Sequence, residues 1–419
     1  MIPAPRTGSR RELFAAASVS GVATLALLFA LRPSVASQAE DARPIVPVPA
    51  SVSPSAPATP SPGIALGFAA RDTSPSAGSG RSAASAAAQR TGAPPDVYAG
   101  MTGGFSKTVA KDPTRVYVPN NGSNTVSVID PRKFRVIRTF RTGLGPQHIT
   151  PSWDLRHLYV GNTYSNTLTE VDPRSGRPVR RIPVPDPYNL YFTPDGKLAV
   201  DVAERMETLF LYDPKTWNRV GAIRVPFAGV DHLDLSSDGS YLLVSAEYSG
   251  MVAKVNLERR RVVASLHVGG SPVDVKLSPD GSVFYVANQE RGGVSVVDPT
   301  TMREIRFIHT GAGAHGFCVS RDTKELYVSN RLAGTISVLD FSTGRVLHTW
   351  HVGGSPDMLQ VSADGKTLWV SNRYDASVSA VSTRTGRVLH TIPVGTSPHG
   401  LTLFPQPGRF SIGHNGVYR

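Results

Sequence analysis

One sixteen-residue phrase recurs along this chain with its punctuation intact. Residues 325–340 read ELYVSNRLAGTISVLD, 283–298 read VFYVANQERGGVSVVD, 367–382 read TLWVSNRYDASVSAVS and 157–172 read HLYVGNTYSNTLTEVD. Each phrase is two alternating apolar runs around a polar bend, the pattern of a β-hairpin. Its anchor falls at Tyr117, Tyr159, Ala199, Leu243, Tyr285, Tyr327 and Trp369, at intervals of 42, 40, 44, 42, 42 and 42 residues. Self-similarity at that pitch marks a repeat array, because one small sheet cannot bury both of its faces and must borrow its neighbours.

Within a period there are four alternating runs, as in HGFCVS, ELYVSN, TISVLD and RVLHTWHV of the sixth unit. Turn chemistry separates them. Pro194-Asp195-Gly196 and Pro279-Asp280-Gly281 bend the first run into the second. Asp172-Pro173, Asp213-Pro214 and Asp298-Pro299 open the next bend but one, where the aspartates read as structural. No helical period intrudes. Four short antiparallel strands in about 42 residues is the pattern of a propeller blade.

The Tyr-Val-x-Asn text at Tyr117-Val118, Tyr159-Val160, Tyr285-Val286 and Tyr327-Val328, each followed by a Val-x-Val-x-Asp-like strand, resembles the YVTN family of β-propeller repeats. Trp369-Val370-Ser371-Asn372 nearly keeps it, while Ala199-Val200 and Leu243-Val244 depart. The likeness runs from about residue 100 to 415, and WD and kelch signatures are absent. It implies an all-β propeller. It implies no single chemistry, since YVTN-like propellers are similar in architecture to lactonases, amine dehydrogenase subunits and haem-binding reductase domains.

Seven anchors predict seven blades of four strands. SPHGLTLF, from Ser397, begins a further unit, and we expect Pro398–Phe404 to return as the innermost strand of blade one. Eight blades is the alternative, were Phe105–Ala110 an innermost strand of its own. The propeller is expected over residues 96–419.

The first 36 residues read as an export signal: Arg10-Arg11, an apolar run from Leu13 to Leu31, then Ser34-Val35-Ala36. The text around the arginine pair is twin-arginine-like. Left uncleaved, the same run would serve as a membrane anchor. Residues 37–95 are rich in Ala, Ser, Pro and Gly and read as a disordered linker. The propeller is thus expected to act outside the cytoplasm, secreted or at the cell surface, as a monomer. With one cysteine, Cys318, it has no internal disulfide, and Cys318 reads as a buried small hydrophobe. The net charge of +12 is scattered through turns, which suits an anionic envelope, and no basic–aromatic stripe suggests nucleic acid.

In a propeller the innermost strands begin at the central channel, on the face that also carries the loops between second and third strands. Aligning the repeats on that start gives Gln147, Tyr188, Asp231, Val273, His315, Asp357 and His399, followed by His148, Asn189, His232, Asp274, Gly316, Met358 and Gly400. Polar residues there give way to apolar ones such as Ile149, Leu233 and Phe317, so this is where the strand leaves the core. His315, Asp357, His399 and His148 are candidate ligands for a divalent metal at the channel mouth, or an acid–base set. Arg331, Arg373 and Tyr374 on adjacent loops, with Asp231 and His232, are candidate contacts for a small anionic ligand. The mouth equally suits a plain water-filled channel. No phosphate loop, nucleophile elbow or haem-attachment signature occurs. Two functions follow: a ligand-binding or interaction scaffold with a small anionic ligand or an envelope protein as partner, or a metal-dependent or acid–base enzyme of lactonase-like or oxidoreductase type.

Overall fold

A computed structural model describes residues 96–414 and 419, and the expected export signal and linker lie outside those residues. Seven four-stranded antiparallel sheets form a seven-bladed propeller. Their innermost strands are Pro146–Pro151, Pro187–Phe192, Val230–Leu235, Pro272–Leu277, Ala314–Val319, Pro356–Val361 and, closing the ring, Thr402–Phe404. The last of these pairs with Arg115–Asn120, so blade one is built from both ends of the repeat region. Among the described residues the helical elements are four short 3-10 turns.

The repeat motif is explained by what it ties. In Tyr-Val-x-Asn the apolar residues of the second strand are buried on both sides, because the next blade covers each face. The outermost strands are largely exposed instead, and Arg135–Arg141 and Arg261–His267 alternate one exposed with one half-buried residue. Cys318, Tyr327 and Ile336 of blade six pack against Leu359, Leu368 and Val370 of blade seven. Burying a large apolar side chain of this kind stabilises the fold by about 1.5–3 kcal/mol. The Asn is a hairpin clamp: Nδ2 of Asn330 donates to Thr335 Oγ1 and Ser337 Oγ, both at 3.0 Å. Asn120, Asn162 and Asn372 repeat the clamp. The turn aspartates accept backbone N–H groups, as Asp298 does from Thr300 at 2.8 Å. Cys318 is buried, as expected, and burial pushes its thiol up to about 11.

Ring closure departs from expectation in one detail. The strand expected over 398–404 is confined to Thr402–Phe404, with a single bridge at Pro398. Gly400 interrupts the strand: His399 N still donates to Pro119 O of the same blade, whereas Gly400 exchanges backbone bonds with Gln147 and Ile149 of blade two. Phe105 makes one bridge to Gly408 and starts no eighth blade.

Beyond the closing strand the chain turns into the channel from the face opposite the mouth. Ser411 N donates to Trp153 O, Phe192 N donates to Ile412 O, and Gly413 bridges Tyr191. Gly413 has φ of 125° and no room for a side chain, since a Cβ would lie 2.6 Å from Leu190 O. On that face Val97 N also donates to Pro279 O, and the Tyr98 hydroxyl donates to Leu277 O at 2.7 Å.

Candidate functional site at the channel mouth

Six of the seven innermost strands carry a register irregularity near their start. It falls between Pro146 and Ile149, Pro187 and Asn189, Val230 and Leu233, Pro272 and Val275, Ala314 and Phe317, and Pro356 and Leu359. A bulge bends its strand and re-aims the residues inside it. Those residues are the candidates: His148, Asp231 with His232, His315 and Asp357. Second-strand serines hold the bulges, as Ser245 does through bonds to N and O of His232, both at 3.1 Å.

All four proposed metal residues come together. Asp357 is fully buried and is the junction. Its carboxylate accepts Arg331 Nε at 2.8 Å and His399 Nδ1 at 2.5 Å, and faces His315 Nδ1 at 3.2 Å and Arg373 Nη1 at 3.8 Å. Burial alone would raise its pKa, but Arg331, His399 and His315 overcome that and hold it well below the usual carboxylate range. Arg331 Nη2 is also hydrogen-bonded to His315 Nε2. His315, Asp357 and His399 therefore sit in an ion-pair network around one carboxylate. His148 stands beside it, its ring 4.5 Å from that of His399, and neither of its nitrogens has a hydrogen-bond partner.

Across the mouth lies an acidic group. Asp231 contacts Glu247 and Tyr188, and is bonded to His232 Nδ1. Burial first, and then Glu204, push Asp231 up to about 8; burial and Asp231 do the same to Glu247. Glu204 accepts the Tyr248 hydroxyl at 2.6 Å and is raised chiefly by burial. Gln289 spans the two halves, taking Arg331 Nη1 at 3.1 Å and donating to Glu247 at 2.7 Å. Tyr374 stands exposed on the rim with the Arg331 guanidinium 5.9 Å from its ring centre.

The expected ligand contacts Arg331, Arg373, Tyr374, Asp231 and His232 all belong to the mouth or the channel wall beneath it. Gln289 was missed. Its signal is the position after the repeat asparagine, where Thr163, Glu204, Glu247, Gln289, Arg331 and Arg373 stand in successive blades. His414 was also missed; it lies past the last repeat and has no register to find it by. It is buried, with its ring 4.3 Å from His148 and 4.6 Å from His232. Burial and neighbouring imidazoles lower the pKa of both His148 and His414, so these rings are neutral at pH 7.

Comparison with solved structures returns the same fold at low identity. Kuenenia stuttgartiensis hydrazine synthase is 19% identical, with a TM-score of 0.58 over 64% of this chain and 92% of that one. A functionally unknown protein from Desulfotomaculum acetoxidans is 16% identical, with a TM-score of 0.60 over 69% and 98%. Dihydro-heme d1 dehydrogenase NirN, solved in complex with DHE, is 18% identical, with a TM-score of 0.54 over 69% and 74%. Similarity at this level carries the architecture alone. No curated protein gives a significant sequence match. The model of the YNCE-like beta-propeller family matches residues 92–407, and the chain belongs to that family.

Proposed function

We propose that the protein is an extracytoplasmic binding propeller whose channel mouth takes a small anionic ligand, a carboxylate or phosphate, anchored by Arg373. One observation carries the reading. Arg373 Nη1 is buried without a hydrogen-bond acceptor, and the carboxylate 3.8 Å away is already held by Arg331 and His399. Two guanidiniums thus share one carboxylate, and an unbalanced buried charge is costly unless a counter-ion arrives. The acidic half of the mouth does not cancel it, because Asp231 and Glu247, each pushed up to about 8, are largely protonated at neutral pH. The guanidinium fork suits either anion. Localisation outside the cytoplasm rests on the N-terminal signal pattern.

A second reading, acid–base chemistry on the bound ligand, is favoured by the proton-holding pair Asp231 and Glu247 opposite Arg373. Thermal-shift titration with acetate, succinate, phosphate and neutral acetamide at constant ionic strength tests the binding itself. At least one anion should raise the melting midpoint, acetamide should not, and Arg373→Ala should abolish the shift. An equal shift in Arg373→Ala, or no anion effect in the native chain, would refute the reading.

A further inference from the structure

Five of the eleven histidines meet at the hub of the ring. His315 is bonded to Arg331, and His399 is tied to Asp357. The other three stand together deeper in the channel. One donor atom each from His148, His232 and His414 lies within 4.8 Å of the others, and all three side chains are buried. We propose that these three imidazoles bind one divalent transition-metal ion of the zinc–copper class.

The first argument is the fate of the ring nitrogens. Both nitrogens of His148, Nε2 of His232 and Nε2 of His414 are buried with no hydrogen-bond partner. The rings meet edge to face, His148 with His232 at 5.0 Å and 87°, His148 with His414 at 4.3 Å and 89°. Three imidazoles packed merely as core would be expected to bond to one another or to nearby carbonyls. A buried polar atom left without a partner destabilises the fold. A shared cation satisfies all three at once.

The second argument is orientation. His232 Nδ1 is bonded to the Asp231 carboxyl, which fixes the ring and leaves Nε2 as the free donor. That carboxylate–histidine arrangement is the usual support of a metal ligand. His399 shows it too: Nδ1 on Asp357 at 2.5 Å, Nε2 unpartnered, the ring 4.5 Å from His148. It stands as the nearest group to a fourth coordination position.

The third argument is chemical class. Donors about 2 Å from a zinc ion stand roughly 3.3 Å apart at tetrahedral angles, so a small closing movement of three side chains suffices. An all-imidazole set selects zinc, copper or nickel over magnesium or calcium, which require oxygen donors. The ligands come from blade two, blade four and the segment beyond the closing strand, so only the closed ring assembles them. The proposal stands apart from the anion reading, which uses none of the three.

The test uses the full chain, purified without an affinity tag, stripped with EDTA and titrated with Co2+, Cu2+ and Zn2+. We expect one equivalent bound, tetrahedral Co2+ absorption bands, and nitrogen hyperfine splitting in the Cu2+ electron paramagnetic resonance spectrum. His414→Ala and His232→Ala should each weaken binding at least tenfold. Asp231→Asn should weaken it by about 10–100-fold. His157→Ala, on the outside of blade two, should not. Because His232→Ala acts in the core, His414→Ala serves as the variant from the peripheral segment, and each is checked by circular dichroism. No stoichiometric uptake by the native chain, or undiminished uptake in a folded His414→Ala, would overturn the proposal.

Discussion

The His414 ring meets the His148 ring edge to face at 4.3 Å, joining the segment after the last blade to the first complete one. The tail that carries His414 therefore lines the channel, with Ile412 and His414 both buried.

That placement predicts graded effects of truncation. Deleting from Phe410 onward removes Ile412, His414 and Arg419, whose buried guanidinium stands 3.1 Å from Asp234, but keeps the closing strand. A cooperative melt should persist at a lowered midpoint, consistent with about 2–5 kcal/mol for lost buried contact and the broken Arg419–Asp234 pair. Deletion from Ser397 removes Thr402–Phe404 and leaves the inner edge of Arg115–Asn120 unpaired, so soluble folded protein should not be recovered. Far-ultraviolet melts of both proteins decide it.

Gly400→Ala should disturb the hub specifically. A Cβ there would lie 1.9 Å from His148 Nδ1, so the imidazole or the strand must move. We expect a loss of about 1–3 kcal/mol in urea unfolding, with the blade signature in circular dichroism retained. Unchanged stability would mean that His148 has space the packing does not show.

Asp357→Ala should be among the most damaging single changes at the mouth. It strands Arg331, Arg373 and two imidazoles around an empty position, at about 3–5 kcal/mol. Adding Arg331→Ala should recover part of that loss, so the double variant falls short of the sum of the singles. Additive losses in urea titrations would deny the coupling.

Glu247 gives a pH dependence with a definite sign. Its folded pKa is raised to about 8 from an unfolded value near 4.5, so the native state holds its proton over a window where the unfolded state has lost it. Its contribution is fully present below the unfolded value and disappears as pH rises through 8. Buried histidines act in the opposite sense: His399, lowered to about 4, contributes stability above pH 6.5 that is lost as pH falls. Glu247→Gln should therefore flatten the fall in melting temperature between about pH 4.5 and pH 8, with no difference in slope above pH 8. The same fall in both proteins over that window would reject the assignment.

How much of this was legible in the residues follows from where each constraint is written. The Asn330 clamp and the Tyr327 packing position recur in blade after blade, so the repeat discloses blade number and closure. Asp357, His315 and His399 share a strand position, and their convergence could be read from register. His148 and His232 stand one residue further along, and an ideal strand would turn alternate residues to opposite faces. The bulges bring them round, and nothing in the local text marks a bulge. His414 depends on where the tail runs after Phe404, a tertiary matter with no periodicity behind it.

The proposed anion site at Arg373 is the central claim, and a crystal structure soaked with the anion that most raises the melting midpoint tests it most directly. That anion is expected at the channel mouth with an oxygen about 3 Å from Arg373 Nη1, and with the Asp357–Arg331 pair intact. An anion ordered only on the outer strands, or a mouth unchanged at saturating concentration, would contradict it.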